Sequence, residues 1–244
     1  MKKLIIMSVA MAAVFMAAVA KVTPEERKGR IYNKTGGFVQ RPIEGKFLKI
    51  VNAAGISDAA LAEVRHEVDI AVRFPTIITV GGSDVNAAKD DKTGFVLVVT
   101  KEGGPRILAA PEDGWAKVDV AGLDADGKEK FELRARKEIW RGLVYGLGGG
   151  NSKFPQCIMK PMRTVAELDA NGAQMACPEA YEQITASARM FGIKPNYPAT
   201  YLQACTEGWA PAPTNDVQKA IWDKVHAMPT EPIKIKPEEK KTEK

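Results

Sequence analysis

Hydrophobic and polar positions divide the chain into an apolar start, a polar stretch, a strand-rich half, a helical half and a charged tail. The apolar start runs over residues 4–19, behind Lys2 and Lys3, and ends in Ala18-Val19-Ala20. A cationic start, an apolar run and a small-x-small end form the pattern of a cleaved export signal, with Lys21 as the mature N-terminus. The run falls slightly short of the roughly 20 residues that span a bilayer comfortably. The expectation is an exported protein, periplasmic or extracellular, with no membrane contact after cleavage. Residues 21–43 are polar and read as a leader into the domain.

From residue 46 the pattern sharpens. Residues 46–51 predict a strand. Ser57 or Asp58 can cap a helix in which Leu61, Val64, Val68 and Val72 recur at helical spacing. Residues 76–80 are β-branched and stop at Gly81-Gly82, and residues 94–100 form a near-continuous apolar run suited to a sheet interior. Shorter strands are expected at 107–110 and 115–120. A helix over 128–147, with Leu133, Ile139, Leu143 and Leu147 on one side, ends at Gly148-Gly149-Gly150. Further helices are expected over 178–191, 198–205 and 216–228, the first two opened by proline. The Lys/Glu/Pro tail, 229–244, reads as disordered. The predicted fold class is α+β/α/β, a mixed twisted sheet with a central helix followed by a helical C-terminal part, in one domain over 44–228.

Charge changes this picture little. The formal net charge of +5 falls to +3 when Lys2 and Lys3 leave with the signal, and the lysines are scattered, which argues against a nucleic-acid partner. With only His66 and His226, no three-histidine metal site can be assembled. His66-Glu67 reads as a partly exposed helix pair and His226 as half-buried beside Trp222. Three cysteines, Cys157, Cys177 and Cys205, allow one disulfide and one free thiol in an oxidising compartment.

The specific signal lies between Arg141 and Ala180. Cys157-Ile158-Met159 gives Cys-x-Met, and seventeen residues separate Met159 from Cys177. A glycine, Gly148, ends the preceding helix nine positions before Cys157. This spacing resembles that of the archaemetzincins, a branch of the metzincin zinc peptidases. In that clan two histidines four apart on a helix, a turn glycine and a third histidine hold zinc above a methionine turn, and a glutamate after the first histidine is the general base. The resemblance implies that Arg141 and Tyr145 occupy the first two histidine positions, Gly142 the glutamate, Gly148 the turn glycine and Asn151 the third histidine. Met159 falls on the methionine turn. Ser152, Cys157, Cys177 and Ala180 fall on the four cysteines of the family's second zinc site.

On this resemblance every contact to catalytic zinc is replaced. A guanidinium is a permanent cation, an amide is a poor zinc donor, and glycine offers no base. The expectation is an inactive homologue without catalytic residues or bound zinc. Arg141 would fill the metal position and hydrogen-bond to Tyr145 and Asn151; an arginine turned to solvent is the alternative. The resemblance also implies that Cys157 and Cys177 lie close together, as a disulfide in place of the lost metal, with Cys205 a competing partner. Gly142 and Gly146 would reflect a relaxed constraint. The leading function is a pseudopeptidase that holds an extended peptide or protein ligand. The alternatives are a hydrolase with a different site and a purely structural envelope protein.

Overall fold

The computed structural model describes residues 24–227, and the side chains of Pro24 and Ile31 are not among what it describes. The expected signal peptide, the mature terminus at Lys21 and the 229–244 tail lie outside the described residues. In chain order the elements are α1 (Pro24–Thr35), β1 (Phe38–Val39), β2 (Phe47–Asn52), α2 (Asp58–Val72), β3 (Thr76–Val80), α3 (Val85–Ala88), β4 (Thr93–Thr100) and β5 (Ile107–Ala110). After a 3-10 turn come β6 (Trp115–Asp119), α4 (Lys128–Gly146), α5 (Val165–Ala170), α6 (Pro178–Met190), β7 (Ala199–Thr200), α7 (Tyr201–Thr206) and α8 (Asp216–His226). The chain divides into two compact units, one of residues 42–197 and one that joins the residues before 42 to those after 197. The single domain expected over 44–228 is thus divided at 197/198.

The larger unit is built on a five-stranded sheet of order β3-β2-β4-β6-β5. The first four strands are parallel, and β5 adds an antiparallel edge. Strand β4 sits in the middle, so both its faces are covered. Phe95, Leu97 and Val99 join the main core, while Val96 and Val98 pack with Val51 on the opposite face. Each such side chain, fully buried, contributes about 1.5–3 kcal/mol, which is why the strand reads as one apolar run.

Helix α2 starts where Ser57 Oγ accepts from the Ala60 N–H at 3.3 Å. Its apolar row, Leu61, Val64, Val68 and Val72, is buried. Glu67 serves as an anchor on the same helix, accepting from Trp140 Nε1 at 2.8 Å and from Arg136 of α4, while His66 is exposed. In α4, Ile139, Leu143 and Leu147 are buried as expected. Leu133 is exposed, because its six-residue offset from Ile139 takes it off the buried face.

The smaller unit pairs β1 with β7 antiparallel, Phe38 opposite Thr200 and Val39 opposite Ala199. The region expected to be a polar leader contains α1, with Glu25 and Glu26 in its first turn and Lys34 in its last, charges placed to suit the helix dipole. Helix α7 begins at Tyr201 and not at Pro198. Pro198 leads into β7, and the cap is Thr200, whose Oγ1 accepts from the Gln203 N–H at 3.2 Å. His226 is exposed and stacks on Trp222 with centroids 4.1 Å apart, where half-burial was expected.

Candidate functional site

Helix α4 and the chain that leaves it carry the sequence-predicted site residues, all within the larger unit. Arg141 and Tyr145, four apart, share one side of the helix, and the Arg141 guanidinium lies 5.9 Å from the Tyr145 ring centroid. Gly148 at φ +79 turns the chain out of the helix. Asn151 then returns to the same side, where its Oδ1 accepts from the Tyr145 hydroxyl at 2.5 Å. The three proposed replacements of zinc ligands are therefore neighbours.

The expected bonds from Arg141 to Tyr145 and Asn151 are not made. Arg141 Nη1 donates instead to Glu138 Oε1 at 2.9 Å, one turn back on the same helix, and Arg106 Nη1 lies 3.8 Å from that oxygen. Arg141 is 6 % exposed and Glu138 fully buried, which also removes the alternative of an arginine turned to solvent. A buried carboxylate attracts a cation more strongly than a phenol or a carboxamide can, which decides the pairing. Burial pushes the Glu138 carboxyl above its ordinary range, against the pull of Arg141 and Arg106. Glu138 Oε2 and Arg141 Nε have no hydrogen-bond partner. Sequence reasoning missed Glu138 and Arg106. The i, i+3 spacing of Glu138 and Arg141 was the available signal.

Gly142 faces the sheet. A Cβ built on it would stand 2.3 Å from Val118 Cγ2 and 3.1 Å from Leu97 Cδ1. At Gly146 it would meet Phe95 Cζ at 2.5 Å and Ala116 Cβ at 2.7 Å. These glycines are packing requirements that seat α4 against β4 and β6, not marks of a relaxed constraint. A glutamate at 142 would have to enter the core between Val118 and Leu97.

The other cluster gathers around Cys157, fully buried under α6. Cys157 Sγ accepts from the Cys177 N–H at 3.0 Å and the Met159 N–H at 3.4 Å. Cys177, the N-cap of α6, donates its thiol proton to Ser152 Oγ at 3.4 Å. The Ser152 N–H donates to the Met159 carbonyl at 2.9 Å, and Met159 and Ala180 are buried. The expected disulfide is not formed: Cys157 and Cys177 are free thiols, as is Cys205 in the smaller unit. N–H···S and S–H···O bonds close this cluster where a covalent link was expected. Burial pushes the Cys177 thiol up, but hydrogen bonds with Ser152, with Cys157 and from the Ala180 N–H outweigh it, so its net direction is down. Burial pushes Cys157 up, and its own bond to Cys177 adds to this.

The antiparallel edge strand β5 runs beside α4. Its N-terminal side is tied by Arg106 to Glu138, and at the other end Pro111 Cβ lies 3.9 Å from a Cβ built on Gly148. The Asp119 N–H donates to the Arg106 carbonyl at 2.9 Å. Antiparallel alternation then turns the N–H and C=O groups of Ile107 and Ala109 away from β6. Among the described residues no further strand pairs with this edge, which lies along α4, the helix that carries Arg141 and Tyr145.

As donors to a divalent metal, a guanidinium committed to Glu138, a phenol committed to Asn151 and a carboxamide do not fit zinc. Among the described residues no group of three or more His, Cys, Asp or Glu side chains is placed to hold a metal ion. No protein-family model matches this chain, and no curated protein matches it. Among solved structures it is similar to archaemetzincin from Methanopyrus kandleri, at 16 % identity over 59 % of this chain and 96 % of that one, with a TM-score of 0.48. It is also similar to archaemetzincin from Archaeoglobus fulgidus in complex with malonate, at 12 % identity over 56 % and 99 % of the two chains and a TM-score of 0.44. A zinc-dependent peptidase from Methanocorpusculum labreanum stands at 16 % identity, 56 % and 99 % coverage and a TM-score of 0.43.

Proposed function

We propose that this chain is an exported, non-catalytic relative of zinc peptidases that holds an extended peptide along β5 without cleaving it. The observation that carries the reading is the Glu138–Arg141 pair. It places a buried cation, already compensated, where the archaemetzincin pattern calls for a first metal ligand. Gly142 supports it, since the position of the general base faces Val118 and Leu97 in the core. A peptide laid against β5 would take main-chain hydrogen bonds from Ile107 and Ala109, with Tyr145 and Asn151 beside it. Hydrolysis by the metzincin route is not available to these residues.

The test is peptide binding and peptide cleavage measured on the same preparation. Labelled extended peptides should bind the zinc-supplemented full chain, as read by fluorescence anisotropy, and remain intact by mass spectrometry. Ala109→Pro removes an outward N–H while sparing the bonds to β6, and should weaken binding about tenfold, the loss of roughly 1.4 kcal/mol. Cleaved peptide, or binding indifferent to Ala109→Pro, would contradict the proposal.

A further inference from the structure

The cluster around Cys157 does not suit a tetrahedral divalent ion, because Ser152 and Ala180 leave it two thiols. What those thiols do suit is different. The Cys177 N–H donates to Cys157 Sγ at 3.0 Å, and both residues are screened from solvent, one fully buried and the other 8 % exposed. Negative charge on the sulfurs is already provided for. The Cys177 and Met159 N–H groups point at Cys157 Sγ, and Cys177 stands at the positive end of the thirteen-residue α6. No imidazole or carboxylate completes a set of three around them among the described residues. Two soft thiol donors with no imidazole or carboxylate beside them fit a soft monovalent d10 ion, for which thiolate is the preferred partner.

We infer that Cys157 and Cys177 form a binding site for a single soft monovalent cation of the Cu(I) class, with the Ser152 hydroxyl as a hydrogen-bonding support to Cys177. Binding breaks two S–H bonds, forms two metal–sulfur bonds and releases two protons, with no electron transferred. The resulting unit of net negative charge is met by the Cys177 and Met159 N–H groups and the α6 terminus. This site is independent of the peptide-binding reading, and either can fail without the other.

The experiment is anaerobic titration of the reduced full chain with the purple Cu(I)–bicinchoninate complex. The wild-type protein should withdraw one Cu(I) per chain, more completely as pH rises, and Cys205→Ser should do the same. Cys157→Ser and Cys177→Ser should each withdraw none, and Ser152→Ala should hold the ion about 10-fold more weakly. Far-UV circular dichroism checks that each variant is folded. A wild-type readout stands beside them: prior Cu(I) loading should slow maleimide labelling of Cys177, mapped by peptide mass. Undiminished colour with the wild-type chain, withdrawal that survives Cys177→Ser, or labelling indifferent to Cu(I) would each overturn the assignment.

Discussion

Gly142 and Glu138 stand one turn apart on α4, and each exposes a different physical demand. At Gly142 the demand is space. A methyl group there would overlap Val118, so Gly142→Ala should destabilise the protein by about 1–3 kcal/mol in urea unfolding despite alanine's better helix propensity. Gly150→Ala, where an added Cβ meets nothing within 4 Å, should be close to neutral; equal effects would refute the packing account. At Glu138 the demand is electrostatic. Its carboxyl is raised from an ordinary 4.5 by burial, so folding favours the protonated form. Its contribution is fully present below about pH 4.5 and is lost as pH rises through the folded-state value. The stability of wild type relative to Glu138→Gln should therefore fall as pH increases through that window. A difference that does not change with pH would contradict the assignment. The resemblance to the archaemetzincin spacing was enough to single out Arg141, Tyr145, Asn151, Cys157, Met159 and Cys177, because a helix and a Cys-x-Met offset carry a family's positions onto a new chain by arithmetic. Which bonds they make was not legible: the partners Glu138 and Arg106 depend on what burial does to a carboxylate.

At the scale of elements, the punctuation residues carried most of the information. Ser57, Pro178 and Gly192 mark helix ends where they were expected, because a cap or a left-handed residue acts locally. Helix α1 escaped notice because it is polar around nearly its whole circumference and gives no apolar period. Pro198 misled because proline suits the entry to a short strand as well as a helix start. One polar residue ties the start of α4 to its surroundings. Arg134, 2 % exposed, donates to the Leu123 carbonyl at 2.8 Å, to Asp169 Oδ1 at 2.8 Å and to Asp126. Arg134→Ala should cost about 3 kcal/mol, and Arg134→Lys should recover little of it, since an ammonium cannot reproduce the planar fork. Urea denaturation of the two variants checks both statements, and full rescue by lysine would show that charge alone suffices.

For the whole molecule, the strand positions of the five-stranded sheet and a mixed α/β class followed from periodicity, but β1, β7 and the strand order did not. The β3-β2-β4-β6-β5 arrangement and the antiparallel edge depend on crossovers that leave no local trace. The division into two units is non-local in the same way, since Phe38 finds Thr200 across most of the chain. That edge strand beside a helix whose Arg141 and Tyr145 are poor zinc donors is what turns a peptidase-like pattern into a binding proposal. The most direct test is zinc stoichiometry and peptidase activity of the Cys157→Ser/Cys177→Ser chain, equilibrated with zinc and then freed of excess by gel filtration. Removing both thiols leaves α4 and Asn151 as the site under test. The account predicts no zinc bound at Arg141, Tyr145 and Asn151, and no cleavage. One zinc per chain, lost on Tyr145→Phe or Asn151→Ala and accompanied by hydrolysis, would contradict it.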